Sequence, residues 1–447
     1  MRLRNRSLLA ASFVVLIGAA TAQPAVAGRK PAEGEIVGVA RFLTGARHFD
    51  EAGVPLAEFR AKETSDTVRV EDLPKSEPNQ QVRPTSEEQA RELALRHDAT
   101  YGTAGETVEQ QLIDDITPEE CRANPEKSSR PEGWIKNHFS YCQLGLLSFD
   151  QFRRVGPFLV PVGGFSARVT NMGYAYNGLR DTDWGIRVDE IDSWGVSNLG
   201  ILRVEADCAA DPAGSCRTAN NGVSKLVPDW ENDELGKIFY NSPGDPPDPA
   251  RGEQRATGTF QIEYEFRSVI TQDRDGPETS VRFDSAWYLP NKQGSIFNRV
   301  DPYLTLSTGD PEVTQSAFHI KDAQEQPGST YPRIEGKTIP GASAQDPLHR
   351  LYHDAERRRQ NREDFAVPVC KQQWPGYEEL GQQCDEYPHA STYEGAARHL
   401  YQPEPYGRFS VRPINGYDNE NSGRRLGTWY GNDRILDGDA FFIKIVS

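Results

Sequence analysis

From Trp134 to Ile320 the chain alternates hydrophobic and polar positions in short runs. The clearest run is TFQIEYEFRSV, where Phe260, Ile262, Tyr264 and Phe266 alternate with Gln261, Glu263, Glu265 and Arg267. A period of two places one set on a core and the other in water, the pattern of a half-buried strand. A turn expected around Asp275-Gly276 leads into SVRFDSAWYL, where Val281, Phe283 and Trp287 share a face, so the two runs predict a β-hairpin. GIRVDEI and LGILRVEADC repeat the pattern more weakly. Residues 134–321 are therefore expected to form an all-β, antiparallel, sandwich-like central domain, whose role the sequence does not declare.

The flanks read differently. Residues 28–84 are polar and charged without a sustained period and predict a linker or loosely ordered stretch, the first part of a polar N-terminal region spanning 28–133. A short helix is expected inside it over PTSEEQARELALRHDA, where Ser86 and Gln89 form a capping box ahead of Ala90, Leu93 and Ala94. Residues 322–347, rich in Pro, Gly, Ser and Gln, predict a linker. Residues 348–447 then predict a small α+β unit, making the chain α+β as a whole. In that unit LHRLYHDAERRRQNRED has helical character, with His349 and His353 on one face, and reads as a solvated, charged helix because the Glu of a zinc-protease pair is absent. YGRFSVRPI predicts a strand. YDNENSGRRLGTWYGNDRI predicts a loop, a short helix presenting Leu426, Trp429 and Tyr430 on one face, and a turn. DGDAFFIKIVS predicts a closing strand with Phe441, Ile443 and Ile445 inward, and Asp437-Gly438-Asp439 before it reads as a turn rather than a calcium loop.

The N-terminus changes how the cysteines are read. Arg2, Arg4 and Arg6, an apolar run from Leu8 to Ala20 and the small-x-small step Ala25-Val26-Ala27 predict a secretory signal peptide over residues 1–27. No later stretch is long and apolar enough to span a bilayer, so the mature chain is expected to be secreted and extracellular. Outside the cytoplasm thiols oxidise, and the 6 cysteines fall into sequence-local couples. Cys121 with Cys142, Cys208 with Cys216 and Cys370 with Cys384 are expected to be disulfides; zinc is disfavoured by the lack of any Cys-x-x-Cys. The formal charge of -16 argues against coating nucleic acid by bulk electrostatics, so any polyanion must be gripped locally.

No Gly-x-Ser-x-Gly elbow, phosphate-cradling Gly-Lys-Ser/Thr loop or dinucleotide fingerprint occurs, which leaves carboxylates and a metal as the carriers of any chemistry. The stretch CDEYPHASTYEG, Cys384 to Gly395, is the leading candidate. If QCDEYPHA is extended, Asp385 and Tyr387 point to one face and Cys384 and Glu386 to the other, so only one of the adjacent acids lies in a given site. A Cys370–Cys384 disulfide would steady the segment just before Asp385. Glu420 and Asn421, beside Arg424 and Arg425, fall at the start of the predicted helix and complete a plausible nest for a metal ion on a phosphodiester.

The order CDEYPHAST then EG, a strand with Ser410-Val411-Arg412, ENSGRRLGTWY and finally RILDGDAFFIKI resembles the NucA/NucB family of secreted bacterial deoxyribonucleases. The resemblance is confined to the C-terminal unit and implies a small, metal-dependent, sequence-nonspecific endonuclease akin to the ββα-metal (His-Me finger) enzymes. In that family the aspartate of an Asp-Glu-aromatic-Pro motif stands in for the usual general-base histidine. Carried over, the catalytic group is Asp385 with its neighbour Glu386 and with Arg412. Asn421, helped by Glu420, is expected to hold Mg²⁺ or Mn²⁺, and Arg424 and Arg425 to contact phosphates of DNA. Two positions depart from the pattern: His389 replaces an aromatic, either as a structural substitute or as a sharer in proton abstraction, and Gly395-Ala396 replaces Gly-Gly. The alternative from another class is an extracellular envelope protein, binding glycan or protein, whose nuclease-like unit is inactive. Nothing in the sequence points to a protein partner.

Overall fold

The strand predicted from TFQIEYEFRSV spans Gln254–Arg267, with Phe260, Ile262, Tyr264 and Phe266 all buried, in the computed structural model, which describes residues 30–56, 68–69, 115–245 and 247–447. The signal peptide and the helix expected at Ser86 lie outside the described residues. The partner strand is Thr271–Ser285, so the hairpin forms, but its turn lies at residues 268–270 and not at Asp275-Gly276. Those two residues sit inside the strand, where Gly276 is required by packing: a Cβ there would come within 2.6 Å of the Tyr264 ring.

Two antiparallel sheets face each other. One orders Gln293–Phe297, Thr271–Ser285, Gln254–Arg267, Ile201–Asp211 and Gly222–Leu226. The other orders Ile36–Leu43, Ser140–Val155, Phe158–Ala175, Asp181–Gly195 and Leu235–Asn241, with Val68–Arg69 and Trp134–Asn137 added at its sides. Trp184, Phe149 and Phe165 from one sheet meet Phe260 and Phe266 from the other, with Phe149 and Phe266 stacked at 5.2 Å. The sandwich therefore recruits Ile36–Leu43 from the region expected to be loose: Val37 and Val39 alternate into a small core with Phe152 and Leu159. A helix of six residues, Pro118–Ala123, capped by Thr117, carries Cys121 to Cys142. Among the described residues, no helix is long and apolar enough to cross a membrane.

The C-terminal unit is a small α+β region. A three-stranded sheet places Ala440–Val446 between Tyr303–Ser307, parallel to it, and Leu348–His349, antiparallel. Two helices pack on it: Thr314–Glu325, and Gly416–Asn432, which is longer than the short helix predicted because Asn415 caps it at Tyr417 N, well before Glu420. Leu426, Trp429 and Tyr430 are buried in this core, as expected, with Phe441 and Ile443. Residues 303–321, expected to close the central domain, thus pack with the C-terminal unit. Residues 322–347, expected as a linker, are tied into the same unit: Lys337 Nζ is buried and donates to Thr330 O, Pro332 O and Phe409 O, and Gly341 N donates to Asp346 O.

Buried polar contacts join the two units. Arg434, fully buried, pairs with Asp284 and donates to Asn177 Oδ1 at 2.8 Å. Arg282 meets Asp439 Oδ2 at 2.6 Å and Arg434 O at 2.9 Å. His138 Nδ1 lies 2.8 Å from Asp433 O, and burial holds its imidazole down at about 4.

Candidate active site

The opening of the C-terminal motif folds as Gln382–Tyr387, paired antiparallel with Ser410–Asn415, and the second strand runs directly into the Gly416–Asn432 helix. Register sets the faces. Asp385 lies opposite Arg412 and Tyr387 opposite Ser410, so these four share one face; Glu386, opposite Val411, is on the other. Cys384 is bonded to Cys370, which fixes the start of the first strand to the helix Val367–Gln373.

The first face is covered by Thr314–Glu325. Asp385 is 4% exposed, and its Oδ2 accepts from Ser316 Oγ at 3.2 Å and faces His319 Nδ1 at 2.7 Å. The other ring nitrogen, His319 Nε2, lies 2.7 Å from Ser410 Oγ. The helix is seated by Asp418, whose two oxygens accept the amides of Gln315 and Ser316 at 2.8 and 2.9 Å. These are orphan donors of a first turn, satisfied by a carboxylate from the neighbouring helix. Burial pushes the Asp418 carboxyl up, the two amides pull it down, and the nearby Asp385 charge adds to the rise. Neither Ser316 nor His319 was among the residues singled out from sequence. The helical spacing of Ser316, His319, Ile320 and Ala323 in TQSAFHIKDAQE is the signal that carries them.

Glu386 points into the opposite side, 3.1 Å from Arg362. Burial raises its carboxyl to about 7, against the pull of Arg362 and with a push from Asp385. The adjacent acids are thus divided between two environments. His389 packs edge-on against Tyr387 at 5.8 Å; burial lowers its imidazole to about 4, and its Nε2 is buried without a hydrogen-bond partner. Gly395 packs against the fully buried Asn361, with a Cβ there only 2.4 Å from the Asn361 side chain, while Ala396 fits the core. Asn361 in turn holds the loop through Ala390 O, Thr392 O and Ala397 N.

The residues picked for metal and phosphate lie along Gly416–Asn432 and the second strand. Asn421 is buried, with Oδ1 accepting from Arg424 Nη1 at 2.8 Å, and next to it the Ser422 hydroxyl is buried without a partner. Glu420 is exposed and accepts from Gln383 Nε2 at 2.8 Å. Arg412 meets Asp322 at 2.6 Å, and Arg425 meets Asp310 at 2.5 Å and Glu312 at 2.7 Å. Among the described residues, one group of three His, Cys, Asp or Glu side chains has ligand atoms within 4.8 Å of one another: Glu205, Asp207 and Glu263, in the central sandwich.

The remaining candidates are structural. His349 lies in the Leu348–His349 strand and the next helix begins at Ala355, capped by Asp354, so His349 and His353 do not share a helical face. His349 is held by Glu394 at 2.8 Å and His353 by Glu253 at 3.2 Å. Asp437-Gly438-Asp439 is a turn, its acids taken by Tyr352 N, Tyr393 Oη, Arg255 and Arg282. All six cysteines are paired as expected, as Cys121–Cys142, Cys208–Cys216 and Cys370–Cys384.

No curated protein and no solved structure matches the chain. Residues 342–444, which hold the paired strands, the Gly416–Asn432 helix and Asp385, match the family described as Deoxyribonuclease NucA/NucB.

Proposed function

We propose that the chain is a secreted, divalent-metal-dependent, sequence-nonspecific endodeoxyribonuclease that hydrolyses DNA phosphodiesters, with Asp385 as the group that activates water. The observation that carries this reading is the placement of Asp385 beside Arg412 on a two-stranded ribbon running straight into a helix that bears Asn421, the order of a ββα-metal unit. Asp385 Oδ2 is engaged by Ser316 and His319, so the water proton would pass to Oδ1. A carboxylate acting this way contributes roughly 10² to 10⁴ in rate. Glu386, on the far face with Arg362, has no part in that step.

Asn421 Oδ1 and the unpartnered Ser422 hydroxyl are hard oxygen donors of the kind that suit Mg²⁺ or Mn²⁺, and the Arg424 side chain now on Asn421 is exposed enough to swing aside. Glu420, at the surface, would help through water. When bound, such an ion neutralises charge on the phosphate and on the departing 3′ oxygen, which contributes several kcal/mol. Arg412, Arg424 and Arg425 would take phosphates, two of them by exchanging acids for phosphate oxygens. With a formal charge of -16, DNA binding is expected to be weak and salt-sensitive unless a divalent cation is present.

The test is nicking of supercoiled plasmid by the mature chain with Mg²⁺ or Mn²⁺, with and without EDTA, alongside Asp385→Ala. Metal-dependent nicking abolished by the substitution supports the reading. A wild-type chain that leaves the plasmid intact under all these conditions refutes it and favours the binding protein.

A further inference from the structure

We propose that His319, clamped between Ser410 and Asp385, is a positioning residue that sets the orientation of the Asp385 carboxylate for phosphodiester hydrolysis. This rests on the nuclease reading above and extends it to a helix, Thr314–Glu325, that lies outside the region matching the family.

The three side chains form an unbroken chain of hydrogen bonds: Ser410 Oγ to His319 Nε2 at 2.7 Å, and His319 Nδ1 to Asp385 Oδ2 at 2.7 Å. A carboxylate can only accept, so the Nδ1 proton faces Asp385, while Nε2 is held in a hydrogen bond with the Ser410 hydroxyl. Each nitrogen is thereby committed and the ring cannot turn. Ser316, one turn earlier on the helix, places a second donor on the same Asp385 oxygen at 3.2 Å. Both donors hang on a backbone that is itself fixed. Asp418 holds the first turn through Gln315 N and Ser316 N, and Ala317, Ile320 and Ala323 are fully buried against the domain core. The Asp385 side chain thus has one oxygen immobilised from a rigid element, and the other is left to act on water.

The order Ser, His, Asp is that of the nucleophile triads of acyl transfer, where the histidine takes the serine proton. Burial decides against that use here. Ser410 and His319 are 0% exposed and Ser410 sits on a paired strand, whereas Asp385 retains 4%. No acyl donor reaches the serine, so the relay ends at the carboxylate. A purely space-filling role also fails to account for it, because a buried imidazole with both nitrogens bonded to two elements of the candidate site is costly to desolvate and offers packing no advantage over Leu.

The experiment compares His319→Ala, His319→Asn, His319→Gln, Ser410→Ala and Asp385→Ala in the full mature chain, by steady-state plasmid nicking with Mg²⁺ or Mn²⁺ and by thermal melting. The Asn amide nitrogen occupies the place of Nδ1 and keeps the donor to Asp385, whereas the Gln nitrogen falls at the place of Nε2 and does not. We expect His319→Ala to lower kcat about 10- to 100-fold with KM changed by less than about twofold, the signature of a lost alignment and not of lost DNA binding. His319→Asn should recover most of that loss and His319→Gln little of it. If His319→Ala does not fold, the Asn and Gln pair and Ser410→Ala carry the comparison. Equal recovery by Asn and Gln, or nicking by all His319 variants at the wild-type rate while Asp385→Ala is inactive, overturns this inference alone. Absence of nicking by the wild type overturns the nuclease reading and this role with it.

Discussion

Replacing Glu386 by Gln should make the chain more stable, and by an amount that grows with pH. Glu386 is 8% exposed, and burial raises its carboxyl from 4.5 to about 7, with Arg362 opposing and Asp385 reinforcing the rise. A carboxyl whose folded value lies above its unfolded one binds its proton more tightly in the folded chain. Its contribution to stability is therefore whole below pH 4.5 and is lost as the pH climbs through about 7. The gap between the two values corresponds to about 3 kcal/mol, most of which falls between pH 5 and pH 8. Gln keeps the shape and the capacity to accept a bond from Arg362 but carries no charge, and Arg362, 42% exposed, stays solvated. In urea unfolding followed by tryptophan fluorescence, the advantage of Glu386→Gln over wild type should be about 2–3 kcal/mol larger at pH 8 than at pH 5. The same difference at both pH values would refute the burial argument, and a variant less stable than wild type at pH 8 would show that the Arg362 pair outweighs desolvation.

Arg434→Ala should cost about 3–5 kcal/mol by leaving the fully buried Asp284 with only Arg282 Nε, at 3.3 Å, as its ion-pair partner, and calorimetry should then resolve separate transitions for the two units; an unchanged melting profile would contradict it. Removing the Cys370–Cys384 bond by paired Cys→Ser substitution opens a loop of sequence separation 14 and should cost about 3 kcal/mol, with loss of nicking as the strand bearing Asp385 loosens; activity and melting temperature both unaffected would refute the anchoring role. His389→Phe keeps the edge-on ring against Tyr387 and removes a buried neutral imidazole, so nicking should stay within about threefold of wild type. A loss of about 100-fold would instead give His389 a share in proton abstraction.

Much of this was legible where the signal is local. Phe260 to Phe266 alternate because one face of their strand is buried, and that alternation survives in the sequence without help from distant residues. Leu426, Trp429 and Tyr430 showed their helical face for the same reason. Ile36–Leu43 did not, because its pairing partner is Ser140–Val155, far along the chain, and Gly38 interrupts its alternation to accommodate Gln272. The division of Asp385 from Glu386 followed from the two-residue period alone. What covers Asp385 did not follow: His319 reaches it across 66 positions of sequence, and only the placement of Thr314–Glu325 on the ribbon brings them together.

That helix raises a question of its own, since the segment leading into it and its own length place Asp310, Glu312 and Asp322 on Arg425 and Arg412, where phosphates would bind. One account makes residues 303–325 a removable cover that blocks a complete domain with acidic side chains. The packing argues against it. Tyr303–Ser307 pairs in parallel with Ala440–Val446, Leu304 opposite Ile443, and Leu304, Leu306, Val313 and Ile320 are all 0% exposed in the core shared with Trp429 and Phe441. At about 1.5–3 kcal/mol for each large apolar side chain buried, these four alone stand for about 6–12 kcal/mol, as much as the net stability of a whole domain. Stripping the segment away would expose that core, so it belongs to the C-terminal unit and that unit extends N-terminal to the matched residues. On the nuclease reading proposed above, the acids on Arg412 and Arg425, being partly exposed, would be displaced one side chain at a time by the phosphates of a docking strand, while the buried contacts of Ser316 and His319 with Asp385 stay in place.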